Sequence, residues 1–155
     1  MVDDIKILKE LSLAEQLRRV ARLWRNVADK ELAPLGLTHP RWTALWKLQN
    51  LNDNVSQKVL ANALEIELAS LMRTLSQLED QNLIVRYCSE TDKRVRIVSL
   101  TDEGKSMITK VEARILQIRK NLMAGVSEEE LNQFKRTIEL IAHNALAQLN
   151  ESEQD

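Results

Sequence analysis

The 155-residue chain is poor in the residues that interrupt, staple or line catalytic pockets: three glycines, two prolines, one cysteine and 3% aromatics. A single Cys88 excludes an internal disulfide and any cysteine-cluster metal site. With so few glycines there is no loop to cradle a phosphate, and neither metal-ligand spacing nor a nucleophile beside its base is recognisable, so no enzyme and no cofactor are expected. No apolar run approaches the roughly 18 to 20 residues that cross a bilayer. The amino terminus Met1-Val2-Asp3-Asp4 opens on acids, unlike a signal peptide, and a cytoplasmic protein with no membrane partner is expected. Neither sign of charge dominates. With 22 basic and 23 acidic side chains and a net charge of -1, the chain lacks the overall basic footprint that usually marks a nucleic-acid binder.

What is present is 44% hydrophobic and 29% charged residues, enough for one domain with a real core. The charge is unevenly placed. Residues 84–100 hold Arg86, Lys93, Arg94 and Arg96 against Glu90 and Asp92, whereas residues 127–155 hold seven acids against Lys135 and Arg136. A locally positive segment on a neutral body favours a directed contact over indiscriminate binding.

Helical spacing dominates the chain. Ser12 and Glu15 have capping-box spacing, and Leu13, Leu17, Val20, Trp24 and Val27 continue as one stripe, predicting a first helix to about Leu32. Pro34 and Gly36 end it. Thr38 and Pro40 open a second helix with Trp42, Leu45, Trp46 and Leu48 on its buried side, and Asn52-Asp53-Asn54 breaks it. Ser56 caps a short third helix to Leu64, and Glu65 and Ile66 are all that separate it from a fourth, the tight joint of a helix-turn-helix. Asn82 falls where a left-handed residue stops that fourth helix. Residues 83–88 and 95–100 alternate as two antiparallel strands around a polar loop, the wing. Thr101-Asp102-Glu103 caps a long helix closed by Gly125, and Ser127 with Glu130 opens a last helix to about Leu149. The expected fold is mainly α with a small β-hairpin (α+β): a winged helix-turn-helix lobe over 33–100, flanking dimerisation helices over 1–32 and 101–150, and a frayed tail over 151–155. The central lobe is too small to cover the flanking apolar stripes, so a second subunit is expected to interleave with them, giving a homodimer.

On the fourth helix Leu68, Leu71, Leu75 and Leu78 form a core stripe, while Ser70, Arg73, Thr74, Gln77 and Gln81 form a second row without an acid. Such a row suits base edges and phosphates of duplex DNA, or it is simply a solvated helix face. Arg73 is suited to a bidentate contact with guanine, Gln77 to adenine, and Ser70 and Thr74 to phosphate or a thymine methyl. At the wing tip Asp92 can steer Arg94 toward a narrow minor groove, with Lys93 and Arg96 nearer the backbone, the alternative being an ordinary exposed ion pair. Ser56 and Gln57 stand where backbone N–H groups bind a phosphate, or where a plain helix cap suffices.

Three segments together, residues 35–42, 69–80 and 92–101, resemble the MarR/SlyA family of winged-helix regulators, nearest the SlyA branch. The resemblance extends from about Leu13 to Leu149. It implies a homodimeric transcriptional regulator, repressor or activator, associated with the nucleoid and bound to a pseudo-palindromic operator, with an arginine of each wing in a minor groove. Ala69, Asn82 and Lys93 depart from the proline, glycine and arginine that are common at these positions. Relatives bind phenolic or other aromatic acids, and by resemblance Arg22, Trp42 and Trp46 would line that crevice, although core or interface packing is the more usual role for a tryptophan. Cys88 reads as a strand cysteine or as a thiol that couples oxidation to the wing. His39 and His143 have no setting for a metal or a catalytic base. The competing reading of the whole chain is a dimeric winged-helix adaptor for protein partners.

Overall fold

The amino-terminal capping box forms as its spacing predicts. In the computed structural model, which describes the backbone of residues 2–152 and the side chains of residues 4–151, the Ser12 hydroxyl accepts from Glu15 N at 3.4 Å and Glu15 Oε2 accepts from Ser12 N at 3.1 Å. These bonds start α2 (Leu13–Leu32), which follows α1 (Val2–Glu10). Helix α1 has no capping signature in the sequence, and its Ile5 and Ile7 are exposed. A 3₁₀ turn (Ala33–Leu35) and left-handed Gly36 at φ 75° then lead into α3 (His39–Asn50). Thr38 stands at its N-cap without a side-chain bond, so Pro40 and the extended backbone of Thr38 set the start instead.

Asn52, Asp53 and Asn54 all adopt positive φ, at 65°, 62° and 48°. Short polar side chains tolerate this conformation because they bond locally, and here they also bond across the lobe. Asp53 Oδ1 accepts from Leu100 N at 2.9 Å, and Asn54 Oδ1 accepts from the Ser99 hydroxyl. The turn delivers the chain to β1 (Val55–Ser56), α4 (Gln57–Leu64), α5 (Leu68–Asp80), β2 (Ile84–Cys88) and β3 (Arg96–Leu100). Ser56 caps α4 by accepting from Val59 N at 3.1 Å. The sheet has three strands in the order β1-β3-β2, all antiparallel, with Val55 opposite Val98 and Arg86 opposite Val98 on its other side. Sequence alone gives the hairpin but not β1, because two residues cannot show an alternation.

Asn82 is left-handed at φ 59°. Immediately after the hairpin α6 (Asp102–Leu122) begins. The Thr101 hydroxyl donates to Asn82 O at 2.6 Å and accepts from Gly104 N at 3.0 Å. Gly104 is required by close approach: a Cβ there would overlap the Leu83 carbonyl oxygen. Leucine is the commonest residue of the core. Leu32, Leu45, Leu48, Leu60, Leu71, Leu75 and Leu78, with Ile84, Val98 and Val111, are fully buried, each contributing about 1.5–3 kcal/mol of burial. Leu68, predicted in this stripe, is exposed because it lies in the first turn of α5, beyond the core edge.

Two compact units divide the chain between Arg119 and Lys120. The first contains the elements through most of α6. The second contains the end of α6 and α7 (Glu128–Ser152), capped where Ser127 Oγ accepts from Glu130 N at 3.1 Å. Helix α7 runs through Ser152 instead of ending near Leu149, so the tail predicted from 151 is helical as far as it is described. Residues 153–155 lie outside the described residues. Among the described residues no helix is long and apolar enough to cross a membrane.

Candidate functional site

Helix α5 lies with Leu71, Thr74, Leu75 and Leu78 inward, which leaves Ala69, Ser70, Met72, Arg73, Ser76 and Gln77 outward. Arg73 is exposed and has no hydrogen bond or ion pair among the described residues. Thr74 departs from the sequence expectation. It is 7% exposed and its hydroxyl donates to Ser70 O at 3.3 Å. The predicted polar row straddles the boundary of the buried face, so Thr74 packs in the core and Ser76 takes a place outside. Spacing alone could not place that boundary, because threonine is compatible with either side.

Gln57 is buried, and its Oε1 accepts from Arg86 Nη1 at 3.2 Å, so its side chain braces the lobe and only its backbone N–H, the group named for phosphate, stands at the start of α4. Ser56 spends its hydroxyl on the cap of α4. Arg86 also donates through Nε to Glu79 and through Nη2 to Ser76 Oγ at 3.1 Å. One guanidinium thus ties β2 to the start of α4 and to two turns of α5. Sequence reasoning counted Arg86 only as local positive charge; a lone arginine in a strand, with its partners 7, 10 and 29 residues away, carries no spacing signal.

At the wing tip Arg94 is held by Asp92 and yet open. Its backbone N and its Nε donate to Asp92 Oδ1 at 3.0 and 3.1 Å and Nη2 donates to Oδ2 at 3.3 Å, while the arginine side chain is 91% exposed. The side-chain hydrogen bond from Arg94, then its backbone N–H, hold the Asp92 carboxyl below its ordinary value of 3.8. Lys93 and Arg96 are exposed beside them. Arg96 Nη1 lies 3.7 Å from the exposed Cys88 thiol. Among the described residues no group of His, Cys, Asp or Glu is arranged to hold a metal.

A crevice of about 420 Å³ opens beside α2, α3 and α6, lined by Trp24, Arg25, His39, Trp42, Trp46, Ile115, Ile118 and Arg119 together with Ala21 and Ala28. Its size and mostly apolar wall suit a small ligand. Asp29 organises one side. Its Oδ1 accepts from Trp42 Nε1 at 3.0 Å and meets His39 Nδ1 at 2.7 Å, and Arg25 Nε lies 3.8 Å from Oδ2. Trp42 and Trp46 fall on this wall as predicted, but Arg22 does not. On α2 it is exposed and points off the stripe that holds Ala21, Trp24, Arg25 and Ala28, so the cations at the crevice are Arg25 and Arg119.

Residues 37–95, the segment from the start of α3 almost to the end of the wing loop, match the model of the MarR family. The fold as a whole is similar to the transcriptional regulator PA3341, with a TM-score of 0.80 and 29% identity over 88% of this chain and 99% of that one. It is similar also to S. aureus MepR in a complex with DNA, with a TM-score of 0.77 and 23% identity over 87% and 98% of the two chains. A third similar structure is CouR from Rhodococcus jostii RHA1 bound to p-coumaroyl-CoA, with a TM-score of 0.71 and 24% identity over 81% and 88%. The helix-turn-helix and the three-stranded sheet with its wing agree with these comparisons: residues 37–95 match the MarR family, and the chain has the winged-helix fold of the transcriptional regulators it is similar to.

Proposed function

We propose that the protein is a sequence-specific DNA-binding transcriptional regulator that works in the cytoplasm, at the nucleoid, as a homodimer on a pseudo-palindromic operator. The observation that carries this is the pair of arginines held out by rigid elements: Arg73, without a partner among the described residues, on the exposed face of α5 and Arg94 splayed from the wing by Asp92. Arg73 suits a guanine edge in the major groove, and Arg94 suits the narrow, electronegative minor groove beside it. Ser70, Lys93 and Arg96, all exposed, supply phosphate contacts. The solved complex of MepR with DNA supports the same use of the fold here.

The second copy is expected where apolar side chains stay uncovered within one chain. Ile5 and Ile7 on α1, Leu13 and Val20 on α2, and Phe134, Ile138 and Leu149 on α7 are each at least 43% exposed. So much apolar surface on helix faces marks a protein interface. The crevice beside Trp42 and Trp46 is the site for a small phenolic or aromatic acid, its ring among the indoles and its carboxylate at Arg25 or Arg119. That CouR binds p-coumaroyl-CoA favours an aromatic acyl ligand.

Fluorescence anisotropy with a labelled pool of duplexes, titrated with salt, tests the central part. Regulator function predicts a log affinity that falls linearly with log salt, with a slope of several counterions. Binding that is absent at low salt, with a protein partner recovered instead, would show an adaptor. Salicylate-like acids are expected to quench tryptophan fluorescence and to weaken DNA binding. No change in either signal removes the ligand site.

A further inference from the structure

Arg41, in the first turn of α3 and half-buried, spans the gap to the recognition helix. Its Nε donates to Gln77 Oε1 at 3.1 Å and its Nη1 to Gln81 Oε1 at 3.5 Å. Gln81 in turn donates from Nε2 to Gly36 O at 3.2 Å, so the arginine is steadied by a partner itself fixed to the turn before α3. A guanidinium has only donors. The Gln77 atom that faces Arg41 is therefore its carbonyl oxygen, which leaves the NH2 group of this exposed side chain for other partners.

This arrangement changes what Gln77 can read. A glutamine recognises adenine by accepting from N6 with its oxygen while donating to N7 with its nitrogen. With one lone pair of Oε1 taken by Arg41, donation from the NH2 group dominates what the outward edge of Gln77 offers. It then matches base edges that present acceptors alone, guanine O6 and N7 or thymine O4, and it opposes the N4 amino group of cytosine and the N6 amino group of adenine. We infer that Arg41 is a positioning residue that converts Gln77 from an adenine reader into a reader of acceptor edges, and so sets the base preferred at one position of each half-site. This rests on the DNA-binding reading above. It replaces the expectation that Gln77 selects adenine. Because Arg41 lies next to Trp42 of the crevice wall, it also joins the element that lines the crevice to a base-reading side chain.

Sequence selection from random duplex DNA, run with wild type, Arg41→Ala and Gln77→Glu, tests it, with circular dichroism as the check on folding. Wild type is expected to enrich guanine or thymine at one position of each half-site. Arg41→Ala frees the amide to turn, and adenine should rise there by about ten-fold, the size of one bidentate contact, with the other positions unchanged. If Arg41→Ala does not fold, Gln77→Glu decides. It keeps a partner for Arg41 but presents an acceptor outward, so it should lose about ten-fold in affinity for the wild-type sequence and move that position toward cytosine. A wild-type preference for adenine, or an unchanged profile in the folded variant, overturns the role of Arg41. Failure of the wild type to enrich any sequence overturns the DNA-binding reading itself.

Discussion

At the scale of single residues, the difference between a side chain that reads DNA and one that holds the reader in place is a matter of partners. Arg73 has none among the described residues, whereas Arg86 has Glu79, Gln57 and Ser76. Arg73→Ala is therefore expected to lower specific affinity by about 1–3 kcal/mol while leaving the unfolding temperature in place. A gel-shift titration beside a thermal melt checks both halves. The wing arginine gives a pH prediction of definite sign. Hydrogen bonds from Arg94 depress the Asp92 carboxyl in the folded chain, so the pairing contributes fully above the ordinary value of 3.8 and is lost only as pH falls through the lower folded value. The Arg94 amide resonance should stay constant across the neutral range and move only in acid. A shift near neutrality would mean that another group orients the wing. Which residues were legible in sequence follows the same division. Arg73 and the Asp92–Arg94 pair stood out because their neighbours in sequence are their neighbours in space. The roles of Gln57, Arg86 and Arg41 are not legible, since their partners come from other elements; Thr74, bonded within α5, lies at a burial boundary that spacing does not mark; and Arg25 and Arg119 stand at the crevice where the resemblance puts Arg22.

At the scale of elements, caps and breaks were the readable features because each is a local chemical requirement. Ser12 with Glu15, Ser56, left-handed Asn82 and the turn at Asn52 are found where the spacing puts them. Strand β1 and helix α1 were not legible: the first is defined by its pairing with Val98 and Ile97, and the second has no buried stripe to declare its period. The joint between wing and α6 depends on one atom's absence. Gly104 lets α6 come against the Leu83 carbonyl while Thr101 bonds to both Asn82 and Gly104. Gly104→Ala is expected to push the helix off the hairpin and to destabilise the fold by about 1–3 kcal/mol, although alanine favours helix over glycine by about 1 kcal/mol elsewhere. Urea unfolding measures it. A stability equal to or above that of the wild type would contradict the packing described for this joint.

At the scale of the whole molecule, the leucine core accounts for the lobe but leaves much apolar surface over, most of all on α7, whose described residues are nearly all exposed. This surplus is the physical reason for proposing two copies. Phe134→Glu, at a position 54% exposed within one chain, places a charge on that surface and should halve the mass in sedimentation without unfolding the helices. It should also reduce DNA binding to that of one half-site. An unchanged dimer would place the interface elsewhere. The central claim, that each chain reads one half of a two-fold site, is tested most directly by selecting bound duplexes from a random pool with the purified protein. The expected result is one enriched motif, inverted about its centre, with half-sites roughly 34–36 Å apart and A/T-rich flanks for the wings. A pool that stays random after several rounds, or a motif with no internal symmetry, would contradict it.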